Sequence, residues 1–230
     1  MISSFLLVAS VWLGVVLAKI LPQKKSYNQF LLTFSGAFLL SISILEIFPT
    51  LFQKNYSENI SFIILLGVLF QILLELVTKG IEHGHTHSQD KKNFYVLFFG
   101  LMLHSFLEGM PIGEIKKLNQ TSYQLLSAIF IHNIPIGIIF YNLVKNIFEK
   151  QATRFLYILL FSLAAPLGSL IGSGWFSQYN NFLLAFISGT FLHISTLILF
   201  ESSKNHQYNF RIFLAIMLGV GIAIFNSFYL

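Results

Sequence analysis

Two apolar stretches of membrane-crossing length each carry a histidine near mid-span. One reads His104-Ser105-Phe106-Leu107-Glu108-Gly109-Met110-Pro111, the next His132-Asn133-Ile134-Pro135. Ionisable groups at that depth are costly to bury, so they mark an ion path, a proton path or a catalytic centre. His104 and Glu108 are four residues apart, which on a helix stacks them on one face. Pro111 and Pro135 fall where a helix must bend or break, freeing backbone carbonyls toward the same region. Imidazole and carboxylate converging from neighbouring helices outline a divalent-metal site.

Depth sharpens that reading. The two stretches follow one another and run antiparallel, and each histidine sits about ten residues in, near the bilayer midplane. Glu108 lies one turn away, about 6 Å from the level of His104 at helical rise. Asn133 offers an amide oxygen beside His132, and His193 lies near mid-depth in a later span. For each histidine a plainer role stands beside the metal one: donation to a carbonyl across a helix interface. Glu108 resists it, because a carboxylate near the midplane with no Lys or Arg at its depth wants a cation or a proton.

The elements that position these residues follow from composition. Of 230 residues 55% are hydrophobic and 10% charged, against about 25% charged in a soluble domain. Apolar runs of about 20 residues recur at roughly 2–21, 28–50, 59–80, 94–115, 123–146, 153–175, 179–201 and 209–230. The fold expected is an all-α integral membrane protein, a bundle of eight transmembrane helices in one unit over residues 1–230. Met1-Ile-Ser-Ser lacks the basic start of a signal peptide, so the first span is read as retained. Cysteine is absent, so any metal must be held by nitrogen and oxygen.

The formal charge of +5 raises nucleic acid as a partner, and its distribution removes it. One set of connections holds Lys19, Lys24, Lys25, Lys79, Lys91, Lys92, Lys145, Lys150, Arg154, Lys204 and Arg211. The other holds Lys54, Lys116 and Lys117. That asymmetry puts both termini outside and the 81–93 loop in the cytoplasm.

Secondary candidates have weaker signals. Glu46, near the outer end of the second span, either funnels cations or sits at headgroup level. Glu75 and Glu201 lie at cytoplasmic ends near Lys79 and Lys204, as interfacial charge. His83, His85 and His87 in the cytoplasmic loop could bind a departing metal, on a compositional signal alone. Gly168 and Gly172, four apart, allow close helix contact within the chain or in a homodimer.

With these residues in view, the chain resembles the ZIP family of divalent-metal transporters over essentially its full length. The likeness rests on eight spans with both ends outside and on the His83-Gly-His85-Thr-His87 loop. It rests also on His104-x-Phe106-x-Glu108-Gly109 and His132-x-Ile134-Pro135. Phe34-Ser35-Gly36 leading to Glu46-x-x-Pro49, and Ala165-Pro166-Leu167-Gly168, agree with it. The resemblance implies that His104, Glu108 and His132 line a site for zinc or a similar ion, moved into the cytoplasm by alternating access. It also shows departures. Ser105 stands where the family often has Asn, Asn133 where it has an acid, Ile136 where it has His or Glu, Ala165 where bacterial relatives have Glu, and Glu46 where His is frequent.

What the resemblance leaves is one metal site: His104, Glu108 and His132, completed by Asn133, Ser105, His193 or water. Zn²⁺ accepts this nitrogen-rich set at four-coordination, and Fe²⁺ or Mn²⁺ would tolerate it with more waters. The metal is then a transported substrate rather than a required cofactor, with uptake weakening below about pH 6 as imidazoles protonate. Compact spans and short loops point to a bacterial inner membrane. Two other readings are carried alongside. One is an intramembrane zinc hydrolase on the same ligands, weakened by the lack of His-Glu-x-x-His or a spare base. The other is a relative that binds metal without moving it.

Overall fold

The computed structural model describes residues 2–22, 24–53, 59–78, 91–113, 120–202 and 209–229. Among them the α-helices are α1 (Ile2–Ile20), α2 (Lys25–Ile42), α3 (Phe48–Gln53), α4 (Asn59–Thr78) and α5 (Lys91–Gly109), followed by α6 (Gln120–Ile147), α7 (Gln151–Gly174), α8 (Asn180–Ser202) and α9 (Phe210–Tyr229). They make eight segments long and apolar enough to cross a bilayer, α2 and α3 sharing one. The chain is an all-α bundle and a multi-pass membrane protein. Helices satisfy their backbone groups internally, as hydrocarbon requires.

The prolines act differently in different helices. Pro49 has no N–H for the Leu45 carbonyl, and its ring crowds that carbonyl. The backbone widens into a π turn at Ser43–Ile47, where the Phe48 N–H reaches back to the Ser43 carbonyl and α2 runs on into α3. Pro135 and Pro166 lie inside α6 and α7, which continue through them rather than breaking. Pro111 does end its helix. There α5 tightens into a 3₁₀ turn at Met110–Ile112, and Gly113, at φ 63°, turns the chain in a conformation glycine tolerates.

Packing divides the helices into two groups. α1, α5, α6 and α7 pack chiefly on one another, as do α2–α3, α4, α8 and α9, with α2 against α6 the main bridge. Glycines make the close contacts inside each group. A Cβ at Gly168 would strike the Phe106 carbonyl, and one at Gly172 the Met110 carbonyl, so the two glycines serve α7 against α5 and the 3₁₀ turn that ends it, within the chain. An aromatic knot fixes α5, α6 and α7 at one end. The Phe94 ring lies 5.8 Å from Phe98, 6.4 Å from Phe140, 4.9 Å from Phe148 and 4.9 Å from Tyr157.

The buried apolar residues form two clusters. One contains Ile47, Ile112, Leu125, Ile129 and Ile187, near the end where α5 turns toward α6. The other contains Phe94, Phe98 and Phe140 of the aromatic knot with Ile139 and Phe161, and Phe148 and Tyr157 pack against it. Along α5 and α6, the polar residues His104, Glu108, His132 and Asn133 fall between them.

Candidate metal centre

Helix geometry brings the site together from two elements. His104 and Glu108 project from one face of α5, and the 3₁₀ turn that follows starts only after both are placed. His132 comes from α6, three residues before Pro135. Because proline cannot donate, the Ile131 carbonyl loses its intrahelical partner there.

Glu108 Oε1 is 3.1 Å from His104 Nε2 and 4.0 Å from His132 Nε2. The imidazole rings stand 6.3 Å apart at 77°. One ligand atom from each of the three residues lies within 4.8 Å of the other two. Tetrahedral zinc with bonds of about 2.05 Å spaces its ligand atoms by roughly 3.3 Å. The two measured distances bracket that spacing, so a small contraction would seat an ion. Among the described residues this is the one group of three or more His or acidic side chains that converges so.

Burial and hydrogen bonding point the same way. His104, Glu108 and His132 are 0–3% exposed, and Ser105 and Asn133 are buried beside them. Neither Glu108 oxygen has a hydrogen-bond partner, nor does either ring nitrogen of His132, the Asn133 amide nitrogen or the Ser105 hydroxyl. His104 Nε2 approaches Glu108 Oε1 to an ion-pair distance of 3.1 Å. Buried polar atoms are nearly always paired, so a concentration of unpaired ones needs an explanation. A buried carboxylate and two imidazoles whose ligand atoms share a point, among unpartnered polar atoms of His132, Asn133 and Ser105, are arranged for a cation.

The remaining sequence candidates fall elsewhere. His193 Nε2 meets Glu75 Oε2 at 2.7 Å across α8 and α4, with the side chains 18% and 27% exposed. His193 therefore has a carboxylate of its own and is not in the converging group. Glu75, read as interfacial charge, is that partner. Glu46 lies in the π turn and accepts the hydroxyl of Ser227 from α9. His83, His85 and His87 lie outside the described residues. Sequence reading passed over Gln124, which is buried with both side-chain polar atoms unpartnered. Its signal was available: an amide in an apolar span, eight residues before His132.

With this geometry in hand, known proteins give it context. The profile of the ZIP zinc transporter family matches residues 82–227, a stretch that contains the whole converging group. The chain is similar to Protein zntD of Dictyostelium discoideum, 29% identical over 149 residues, 56% of this chain and 21% of that one. It is similar to zinc transporter ZIP9-B of Xenopus laevis, 26% identical over 165 residues, 63% of this chain and 52% of the other. Zinc transporter ZIP9 of Micropogonias undulatus is 26% identical over 153 residues, 58% of this chain and 48% of that protein. The chain thus spans about half the length of these ZIP9 relatives and about a fifth of zntD.

Proposed function

Because the family profile covers well over half of it, this chain belongs to the ZIP zinc transporter family, and we propose that it carries Zn²⁺ across the membrane toward the cytoplasm. The observation that carries this reading is the buried convergence of His104, Glu108 and His132. Two neutral imidazoles and one carboxylate leave a bound dication with one net positive charge. Such a site holds the ion less tightly than a cage of carboxylates, which favours release. Ser105 and Asn133 stand at its edge. Fe²⁺ and Mn²⁺ remain substrates of the same donor chemistry, with more waters retained.

Sidedness comes from the basic residues, which put both termini outside and the 81–93 loop in the cytoplasm. A membrane potential then favours entry of a dication by roughly 4.6 kcal/mol per 100 mV, at about 2.3 per charge. Alternating access is the mode we infer. The site is buried with an apolar cluster to either side of it along α5 and α6, and its ligands all belong to the α1–α5–α6–α7 group. Movement of that group against the other would carry the site intact. We place the protein in a cell membrane; its compact spans fit a bacterial inner membrane, while the relatives named above are eukaryotic.

Zinc influx into proteoliposomes, followed with a trapped fluorescent probe, tests the proposal. Saturable influx in the wild type that is lost in His104→Ala supports it. Zinc binding without influx overturns it in favour of a metal-binding relative. Turnover of lipid or peptide would support the hydrolase reading, which the relatives' names do not.

A further inference from the structure

We propose that Gln124 is an entry-side ligand for the incoming divalent cation, a waypoint between the outer surface and Glu108. This rests on the transport reading above and adds a residue to its path. Gln124 is 1% exposed, and both its amide oxygen and its amide nitrogen lack a hydrogen-bond partner. An amide used to join helices would have found one, because an unsatisfied polar group in hydrocarbon is expensive.

Its position gives the unpaired amide a purpose. α5 ends and α6 begins on the same side of the bundle, joined by the segment around residues 113–120. Relative to the two histidines, Glu108 lies one turn, about 6 Å, toward that side, and Gln124 lies two turns, about 12 Å, in the same direction. The metal-binding groups therefore form a ladder of roughly 6 Å steps, from the Gln124 amide oxygen through the Glu108 carboxylate to the imidazoles of His104 and His132. Ala128, between Gln124 and His132 on the same broad face of α6, puts only a methyl group in that interval.

Gln124 is buried, and its chain neighbours Leu125 and Leu126 are buried members of the apolar cluster at this end of the site. When that cluster parts, Gln124 is the polar group the cation meets before the carboxylate. A neutral amide suits a waypoint. Its oxygen can replace one water of a hydrated ion, yet it lacks the charge that would hold the ion there. A second carboxylate at this height would compete with Glu108.

The test uses the full-length protein in proteoliposomes with zinc alone, comparing wild type, Gln124→Leu, Gln124→Glu and His104→Ala. Gln124→Leu keeps the bulk and removes the amide. It is expected to raise the KM for influx about tenfold, in the range seen when supporting groups of a metal site are lost. Zinc affinity of the detergent-solubilised Leu variant, read by thermal shift, should stay within about twofold of wild type. Gln124→Glu restores an oxygen and should recover a low KM while lowering the maximal rate, since a charged waypoint retains the ion. A role in helix packing would move the melting temperature and leave no such split. A wild-type KM in Gln124→Leu, with influx still lost in His104→Ala, overturns this proposal and spares the transport reading. Absence of influx in the wild type overturns both. Equal loss of binding and influx in Gln124→Leu also overturns it, as Gln124 would then belong to the central site or to the fold.

Discussion

The imidazole of His193 and the carboxylate of Glu75 meet at 2.7 Å across the α4–α8 seam. The seam is close because Gly67 lies against the Phe186 carbonyl and Gly189 against the Ile64 carbonyl. The pairing accounts for a mid-span histidine outside the converging group: its Nε2 is engaged by a carboxylate of the other helix group.

From this follows the first expectation. His193→Ala should leave zinc affinity within about twofold and lower the melting temperature, because an interhelical side-chain hydrogen bond in a membrane is worth about 0.6 kcal/mol and at most about 1.7. Differential scanning fluorimetry with and without zinc reads both quantities. A tenfold loss of affinity would mean that His193 serves the ion in another conformation.

Glu108→Gln separates binding from folding. The carboxylate oxygens have no hydrogen-bond partner in the core of the bundle, and leaving a buried polar group unsatisfied costs about 1–3 kcal/mol, more when it is charged. The amide is uncharged and nearly the same shape. The metal-free variant should therefore melt higher than the metal-free wild type. Zinc should stabilise the wild type by about 2.7 kcal/mol at a hundredfold excess over Kd and leave the variant unchanged. A variant that still shifts with zinc would remove Glu108 from the site.

The α5–α7 seam gives a matched pair. Gly168→Ala places a methyl against the Phe106 carbonyl, two residues from His104 and Glu108, whereas the Cβ position at Gly174 has nothing within 4 Å. Overpacking costs about 1–3 kcal/mol and here must push α5, with both its ligands. Gly168→Ala is expected to lower both stability and zinc affinity, and Gly174→Ala neither. Equal behaviour of the two in thermal melts would show the seam to be looser than described.

Phe94→Ala probes the opposite end. Phe94 is buried and touches rings on α5, α6 and α7, among them Phe98, Phe140 and Tyr157. In water such a truncation costs about 3–5 kcal/mol. Lipid tails are themselves apolar, so the packing part of that cost is what remains in a membrane. Lower melting temperature and yield are expected, with the zinc-induced shift preserved.

The sequence alone determined the spanning architecture, because a segment must carry enough apolar length to cross hydrocarbon and must close its own hydrogen bonds. Position within a span also assigned depth, which put His104, Glu108 and His132 at neighbouring levels. The placement of Gly168 and Gly172 illustrates what it left open: two small residues announce close approach but do not name the helix that approaches. Only the tertiary structure decided that α5 fills that role. The same holds for mid-depth polar groups. Rise per residue gives His193 and His132 comparable height, yet rotation about the helix axis and the choice of neighbour send one to Glu75 and the other to Glu108. Those choices depend on contacts between residues up to 118 positions apart, as for Glu75 and His193. No local pattern encodes such contacts. The unpaired state of Gln124 is likewise a property of everything packed around it.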